Sequence, residues 1–401
     1  MTAEQTPRAL RRNIVIIGNR NVGKSSLINA LTGQEVSIVS EEAGTTTDVV
    51  NKPYELLPFG PVTFMDTAGI DDDSSLGEAR IKATKKALYR ADLALFVTDK
   101  EFISDCEENL ISEIGEMKIP LIAVLSKADK ERNLDAIEDF MKIKNIDVVK
   151  ISAFAGYGID ILKEKIVNIL NQISLKEASL LEGVVNKKDR VVLVAPIDSS
   201  APKGRLILPQ VQVLREILDV NATAIVVQPQ ELSDSIEILR EKPNIVITDS
   251  QAVGEVCKIV SDDIKLTTFS ILFARFKGDL KTMIEGANTI DKLKDGSKVL
   301  IVEACSHHAQ DDDIAKVKIP NLLKKYTKKE LVFSFATGCD FPENLEDFDL
   351  VVHCGACMLN KAEMNRRMNE CVRRGVPVTN YGVAISKAQG ILQRVIRPLG
   401  F

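Results

Sequence analysis

A phosphate-binding pattern near the start of the chain constrains its fold more than any other feature. The segment Gly18-Asn19-Arg20-Asn21-Val22-Gly23-Lys24-Ser25 lies between an apolar, strand-like run and a helix-like pattern. Its glycines let backbone amides face a β-phosphate, Lys24 neutralises charge on the β- and γ-phosphates, and Ser25 offers its hydroxyl to Mg²⁺. The strand–loop–helix context therefore predicts a nucleotide-binding α/β domain.

Further segments complete a nucleotide site and select the base. Asp66-Thr67-Ala68-Gly69 follows a strand-like run, which places Asp66 behind Mg²⁺ and the Gly69 amide near the γ-phosphate. Thr46 lies in a switch-like segment and supplies another Mg²⁺ ligand. Asp129 can accept from both the ring N–H and the exocyclic amine of guanine, so we expect GTP and GDP. The predicted nucleotide-binding residues are Gly18, Asn21, Gly23, Lys24, Ser25, Ser26, Asp66, Gly69, Lys127, Asp129, Ser152 and Ala153. The candidates for hydrolysis are Lys24, Thr46, Gly69 and Glu78.

Cysteine and histidine residues cluster in the last third of the chain. Cys305-Ser306-His307 and His353-Cys354-Gly355-Ala356-Cys357 each follow a predicted strand. Such a set suits a tetrahedral zinc ion, or a [4Fe-4S] cluster held by three thiolates with one iron open, and the spacing alone does not choose. We expect amides at the N-terminus of the following helix to bond the cluster sulfurs. Elsewhere Cys106, Cys257 and Cys371 are expected to fill cores, and Cys339 is ambiguous.

Composition narrows the class of protein. The chain has 401 residues, a formal net charge of −5, seven cysteines and no tryptophan. Without a basic, aromatic-rich stretch, an acidic chain is not expected to bind nucleic acid. No apolar run is long enough to span a bilayer and residues 1–12 are too polar for a secretion signal, so we expect a cytoplasmic protein with no membrane partner.

Alternating apolar and helical patterns predict an α/β fold with three domains. A P-loop GTPase domain at 1–175 is followed by two smaller parallel-sheet α/β domains, at 186–264 and 268–401. The predicted strands are 13–17, 62–65, 93–98, 121–125, 148–151, 191–195, 224–227, 244–248, 298–304 and 349–353. The predicted helices are 159–172, 209–218, 232–241, 251–260, 270–285 and 359–374.

The first domain resembles translation-factor-related GTPases, particularly the tRNA-modification and Era-like branch. Two departures have consequences: Ser126 replaces the usual asparagine of the guanine motif, which predicts modest guanine affinity, and Ile70 replaces the water-orienting glutamine of Ras-like enzymes, which predicts slow hydrolysis. Asn21 matches an asparagine that ligates K⁺ in potassium-activated relatives, so K⁺ is expected to stimulate hydrolysis in place of an arginine finger. Glu78 lies at the spacing of a water-positioning glutamate, or is a solvated switch residue.

The whole chain resembles the HydF-type GTPases that mature [FeFe]-hydrogenases. The segments that carry this resemblance are residues 195–198, 201–210, 248–251 and 274–279, together with the C-x-H…H-C-x-x-C set. The resemblance implies a homodimeric scaffold that receives a diiron precursor from radical-SAM maturases and passes it to apo-[FeFe]-hydrogenase. It assigns the [4Fe-4S] ligands to Cys305, Cys354 and Cys357, with His307 and His353 as outer-shell groups or exchangeable fourth ligands. The middle domain corresponds to the dimerisation domain of that family.

Our hypothesis for coupling is that GTP binding and hydrolysis reshape the segments around Thr46 and Gly69 and so alter contacts with a maturase or with the cluster domain. Two alternatives from other classes stand beside it. One is an RNA-modification or ribosome-assembly GTPase with a structural zinc site. The other is a zinc-dependent hydrolase regulated by GTP, in which His307 and His353 would bind the metal directly.

Overall fold

A computed structural model describes residues 6–33, 49–69, 75–197, 206–304, 314–338, 341–342 and 344–401, without the side chains of 75–79. The chain divides into two compact units, Met1–Glu177 and Ala178–Phe401. Each unit is built mainly from parallel strands connected by helices.

In the described part of the first unit, six strands form one sheet in the order β2-β3-β1-β4-β5-β6. Only the β2–β3 pair is antiparallel. The strands are β1 Arg12–Ile17, β2 Val50–Leu56, β3 Gly60–Asp66, β4 Leu93–Thr98, β5 Leu121–Leu125 and β6 Asp147–Lys150. The helices are α1 Lys24–Thr32, α2 Ser75–Tyr89, α3 Asp105–Glu116, α4 Asp135–Ile143 and α5 Ile159–Leu175.

Both faces of this sheet are covered, as continuous apolar strands require. Ile14 and Ile16 of β1 pack in one core with residues of α1 and α5. Val15 and Ile17 pack in a second core with residues of α2, α3 and α4. Because β1 is the third of the six strands in the sheet order, its C-terminal end, and hence the phosphate-binding loop, lies near the middle of one sheet edge.

The described part of the second unit contains two parallel sheets of four strands, in the orders β10-β9-β7-β8 and β12-β11-β13-β14. The strands are β7 Arg190–Val194, β8 Thr223–Val227, β9 Ile245–Thr248, β10 Lys265–Thr268, β11 Lys298–Glu303, β12 Val332–Thr337, β13 Leu350–His353 and β14 Val378–Asn380. The helices are α6 Leu208–Asp219, α7 Leu232–Glu237, α8 Val253–Ile259, α9 Phe269–Lys277, α10 Leu280–Asn288, α11 Ile319–Thr327, α12 Lys361–Arg373, α13 Tyr381–Ala388 and α14 Leu392–Ile396. One buried cluster includes Val192 of β7 and Val299 of β11, so the two sheets share a core.

The structure divides the predicted helical segment 270–285 into two helices. Helix α9 ends at Lys277, and the Asp279 carboxylate caps α10 by accepting from the Lys281 amide at 3.0 Å. Four strands were not predicted: β2, β10, β12 and β14. Strand β10, Lys265–Thr268, lies where the sequence suggested a break between the second and third domains, near residues 262–268.

Candidate functional site

The phosphate-binding loop curls around the Lys24 ammonium. Lys24 Nζ donates to the carbonyl oxygens of Gly18 at 2.9 Å and Asn19 at 2.7 Å. Gly18 has a φ of 146°, and a Cβ there would lie 2.1 Å from the Val97 carbonyl oxygen, so only glycine fits. Gly23, with a φ of 98°, leads directly into α1. The loop and the helix start together present backbone amides as an anion site.

A hydroxyl and a carboxylate converge beside this loop. Ser25 Oγ donates to Asp66 Oδ2 at 2.8 Å, which joins the start of α1 to the end of β3. Burial raises the pKa of Asp66, and the hydrogen bond from Ser25 opposes that effect. Thr67 fixes the next turn, since its hydroxyl donates to the Ile16 carbonyl at 2.8 Å. Oxygen ligands of this kind fit Mg²⁺.

The loop after β5 contacts the phosphate-binding loop, as the guanine motif requires. Ser126 Oγ donates to the Val22 carbonyl at 2.6 Å, so the short side chain still reaches the loop that an asparagine was expected to hold. Lys127 Nζ donates to the Asn21 carbonyl at 2.8 Å and to Asp99 Oδ2 at 2.6 Å. The Ser126 hydroxyl and the Lys127 ammonium therefore both connect this loop to the phosphate-binding loop, and the modest guanine affinity stays a prediction.

Asp129 and Ser152 come together beyond the ends of β5 and β6. A hydrogen bond from the Ser152 side chain is the main cause that lowers the pKa of Asp129, so the carboxyl group is ionised near neutral pH. The Ala155 amide donates to Ser152 Oγ at 3.2 Å. An ionised acceptor here suits the two donors of guanine.

Other predicted nucleotide residues lie partly or wholly outside the described chain. Thr46 and Ile70 are outside it, and Glu78 lies on α2 with its side chain outside the description. Gly69 is buried and is the last residue described before position 75. The roles suggested for these residues stay predictions.

The second candidate site is the loop after β13. Cys354 Sγ accepts from the Ala304 amide at 3.2 Å and from the Ala356 amide at 3.4 Å. Both donors lie before the next helix, because α12 begins only at Lys361, after its cap Asn360. The bonds expected from that helix to a bound cluster stay a prediction. Burial raises the pKa of Cys354 to about 11, while the two amide bonds oppose that effect.

A buried lysine supports the same loop. Lys277, at the end of α9 and 3% exposed, donates to the carbonyl oxygens of Ala356 at 2.7 Å and Leu359 at 2.8 Å. Its ammonium also lies 3.5 Å from the Cys357 carbonyl oxygen. Burial lowers the pKa of Lys277 to about 8, and the two nearby cysteines oppose that effect. The ammonium thus organises the loop between Cys354 and Leu359.

Both ring nitrogens of His353 bond to protein groups. His353 is 1% exposed, its Nδ1 lies 2.9 Å from the Cys354 carbonyl oxygen, and its Nε2 lies 3.2 Å from Arg367 Nη1. Since a guanidinium only donates, Nε2 accepts and the proton is assigned to Nδ1. Burial and the Arg367 charge lower the pKa of His353 to about 3, so the ring is neutral. Arg367 is anchored in turn by Glu363 Oε1 at 2.7 Å.

The remaining cysteines differ in burial. Cys371 is completely buried in a core, as expected, whereas Cys106 is exposed on α3, so the expectation that it fills a core is wrong. Cys257 is half-buried, with its sulfur 3.2 Å from Arg394 Nη1. Cys305, His307, His308 and Cys339 lie outside the described residues. Among the residues that are described, no three His, Cys, Asp or Glu side chains converge as a metal site.

Sequence reasoning did not assign roles to Lys277, Arg367 or Arg132. Lys277 falls in the segment 274–279 that carried the family resemblance, which was the one available signal. Lys277 reaches a loop 79 positions away and Arg132 bonds backbone carbonyls, and neither feature leaves a pattern in sequence. Arg367 forms an i,i+4 pair with Glu363, but its bond to His353 is a contact that only the folded chain makes.

Family models match all three parts of the chain. A model for a 50S ribosome-binding GTPase matches residues 13–127. The hydrogen maturase F dimerization domain matches residues 180–278, and the hydrogen maturase F tetramerization domain matches residues 281–398.

Relatives of known class are GTPases. GTPase Der of Wolinella succinogenes is 37% identical over 181 residues, which are 43% of this chain and 38% of that protein. The tRNA modification GTPase MnmE of Endomicrobium trichonymphae is 34% identical over 194 residues, which are 46% of this chain and 41% of that protein. The chain thus spans about two fifths of the length of these relatives.

Solved structures also match part of the chain. Era of Aquifex aeolicus bound to GDP·AlF4⁻ is 23% identical and matches over 54% of this chain and 92% of that chain, with a TM-score of 0.35. The G domain of the T. maritima FeoB iron transporter is 28% identical over 40% of this chain and 99% of that chain, with a TM-score of 0.33.

The fold and the phosphate-binding site define a P-loop GTPase joined to two further α/β domains, and the predicted fold class is confirmed. The GTPase domain and the GTPase relatives support GTP hydrolysis. The chain belongs to the hydrogen maturase F (HydF) family, as its resemblance predicted. Its domains indicate a hydrogenase maturation GTPase, and they support self-association, including the predicted homodimer. Among the described residues, no helix is long and apolar enough to cross a membrane.

Proposed function

We propose that this protein is a GTP-hydrolysing scaffold that binds a [4Fe-4S] cluster and delivers a diiron precursor to apo-[FeFe]-hydrogenase. The observation that carries the proposal is the 3.2 Å bond from the Ala304 amide to Cys354 Sγ, between residues 50 positions apart. Cys305 is peptide-bonded to Ala304. The residue that precedes Cys305 in the chain is therefore bonded to Cys354, at the ends of the adjacent strands β11 and β13.

Three thiolates are a sufficient ligand set for such a cluster. Cys305, Cys354 and Cys357 would hold it, and it would supply one iron with an open position at which the cargo binds. The deprotonated Cys354 sulfur that binding requires is favoured by two amide donors. Burial by itself favours the protonated Cys354 thiol, and the two amides would lower the cost of the thiolate that a cluster requires.

Charge supports the same assignment. A buried ammonium is costly unless negative charge lies nearby. The described residues include no carboxylate paired with Lys277, whose bonds run to the carbonyls of the cysteine loop. An anionic cluster at Cys354 and Cys357 would supply the missing negative charge.

His353 is proposed to position the loop rather than to bind iron, because both of its ring nitrogens are engaged by protein groups. The exchangeable fourth ligand, if a histidine supplies it, is then His307. A neutral His353 between Arg367 and the Cys354 carbonyl fixes the strand end from which the cluster loop starts.

The GTPase unit is proposed to hydrolyse GTP slowly. Lys24 and the Gly69 amide would stabilise charge on the γ-phosphate, while Ser25 and Thr46 would hold Mg²⁺. K⁺ at Asn21 would supply the positive charge that an arginine finger gives elsewhere, and Glu78 would orient the attacking water. No glutamine follows Gly69, which is the reason for the slow rate.

GTP is proposed to act as a switch for partners. Its binding and hydrolysis would reshape the segments around Thr46 and Gly69 and alter contacts with radical-SAM maturases, in the cytoplasm. The γ-phosphate takes no part in the iron chemistry. The proposal is supported by the division of the chain, which puts the phosphate-binding loop and the cysteine loop in different compact units.

Hydrogenase activation in a complete maturation system tests this function. Lys24→Ala removes the buried ammonium of the phosphate-binding loop, and Lys142→Ala, at a side chain 71% exposed, is the matched control. We expect Lys24→Ala to lose both GTP hydrolysis and hydrogenase activation, and the control to keep both. Full activation by Lys24→Ala without hydrolysis would show that the switch is not coupled to delivery.

A further inference from the structure

The loop that carries Asp129 has a strained backbone. Lys127 has a φ of 54°, in the left-handed region that residues with a Cβ rarely adopt. Such a conformation persists only where neighbouring groups fix it. The loop between Ser126 and Asp129 therefore needs such groups around it.

Several groups fix it: the Ala128 amide donates to the Ile151 carbonyl at 2.9 Å, and one guanidinium bonds three backbone carbonyls. Arg132 Nη2 donates to the carbonyl oxygens of Ser126 at 2.8 Å and Lys127 at 2.6 Å. Arg132 Nη1 donates to the carbonyl oxygen of Asp99. Asp99 and Ser126 directly follow the paired strands β4 and β5, so Arg132 ties two strand ends to the loop.

The Ser126 side chain cannot supply the bonds to backbone carbonyls that Arg132 makes. A hydroxyl has one hydrogen to donate, and the Val22 carbonyl accepts it at 2.6 Å. A guanidinium has five N–H groups in a fixed plane, which suits it to bridge several carbonyls at once. Ser126 thus connects the loop to the phosphate-binding loop, and Arg132 holds the backbone on the other side.

We propose that Arg132 is a positioning residue for guanine recognition, which fixes residues 126–127 so that both oxygens of Asp129 meet guanine. The inference rests on the proposed role of Asp129 in GTP binding. Arg132 acts through the loop and makes no contact with the nucleotide. Arg132 and Ser126 would together hold the guanine-binding loop, the role expected of the asparagine that related GTPases have at the position of Ser126.

The test compares GDP with IDP, which lacks the exocyclic amine. In Arg132→Met, we expect GDP affinity to fall about tenfold or more, because the Asp129 carboxylate is no longer held in position to accept from the two N–H donors of guanine. IDP offers one donor fewer and should lose less, so the preference for GDP over IDP should narrow about threefold or more. The KM for GTP should rise while kcat at saturation stays within about twofold. Isothermal titration calorimetry and steady-state kinetics give these values.

Two further variants separate positioning from general damage. Arg132→Lys retains a charge that can bond fewer carbonyls and should give an intermediate preference. Arg215→Met, at a side chain 75% exposed, should behave like the parent. Equal losses for GDP and IDP, or no loss in either, would overturn the inference while leaving GTP binding intact. If the parent protein itself binds neither nucleotide, the proposed function fails as well.

Discussion

Replacing Lys277 with methionine should loosen the loop that carries the cluster cysteines Cys354 and Cys357. Methionine keeps a similar length and an apolar stem, but it cannot donate to the carbonyls of Ala356 and Leu359, which Lys277 reaches at 2.7 and 2.8 Å. These carbonyls would lose a charged donor in a site that is closed to water.

Two opposing effects set the change in the free energy of unfolding that Lys277→Met causes. Each carbonyl left without its donor costs ~1–3 kcal/mol. Removal of the ammonium offsets part of this cost, since burial lowers the pKa of Lys277 to about 8, which corresponds to about 3 kcal/mol. We therefore expect the free energy of unfolding to fall by only ~1 kcal/mol, or roughly 2–4 °C in Tm. The larger effect should be local, on the cysteine loop.

Iron release to a chelator measures that local effect. After anaerobic reconstitution, Lys277→Met should lose iron about tenfold faster than the parent, the factor that corresponds to ~1.4 kcal/mol. Lys281→Met, at an exposed lysine on the next helix, is the control and should match the parent. Identical release from all three proteins would refute the argument that Lys277 supports the loop.

Three further predictions follow from the site geometry. Gly18→Ala should weaken GTP binding at least about 30-fold, because overpacking against Val97 and the backbone conformation each cost ~1–3 kcal/mol; calorimetry showing unchanged affinity would contradict it. Ser126→Ala should weaken GDP binding about 5–30-fold through loss of a buried 2.6 Å bond, and an unchanged Kd would count against that bond. In the native protein, iodoacetamide should modify exposed Cys106 and spare Cys371, whose pKa burial raises to about 12; mass spectrometry showing the reverse order would contradict the assigned burial.

Buried strands could be predicted from the sequence because they form continuous apolar runs. Strand β4 is buried at every position and was predicted with the bounds that the structure has. The edge strands β2 and β12 were missed, since β2 contains Pro53 and both are half-exposed with polar residues among the apolar ones. The three-residue strand β14 is too short to leave a pattern.

The candidate site was predicted only where chemistry depends on local spacing. The phosphate-binding loop and the C-x-x-C pair have fixed spacings, so residues such as Lys24 and Cys354 were identified. Lys277 lies 79 positions from Ala356, and its role depends on a contact that only the folded chain makes. The Ala304 amide that donates to Cys354 could not be predicted either, because a backbone group has no sequence signature.

Electron paramagnetic resonance after anaerobic reconstitution with iron and sulfide tests the central claim most directly. The parent protein and Cys106→Ala should each show the signal of a reduced [4Fe-4S] cluster. A variant with alanine at Cys305, Cys354 and Cys357 should show none. Stoichiometric zinc and no cluster signal in the parent would contradict the account and favour a GTPase with a structural zinc site.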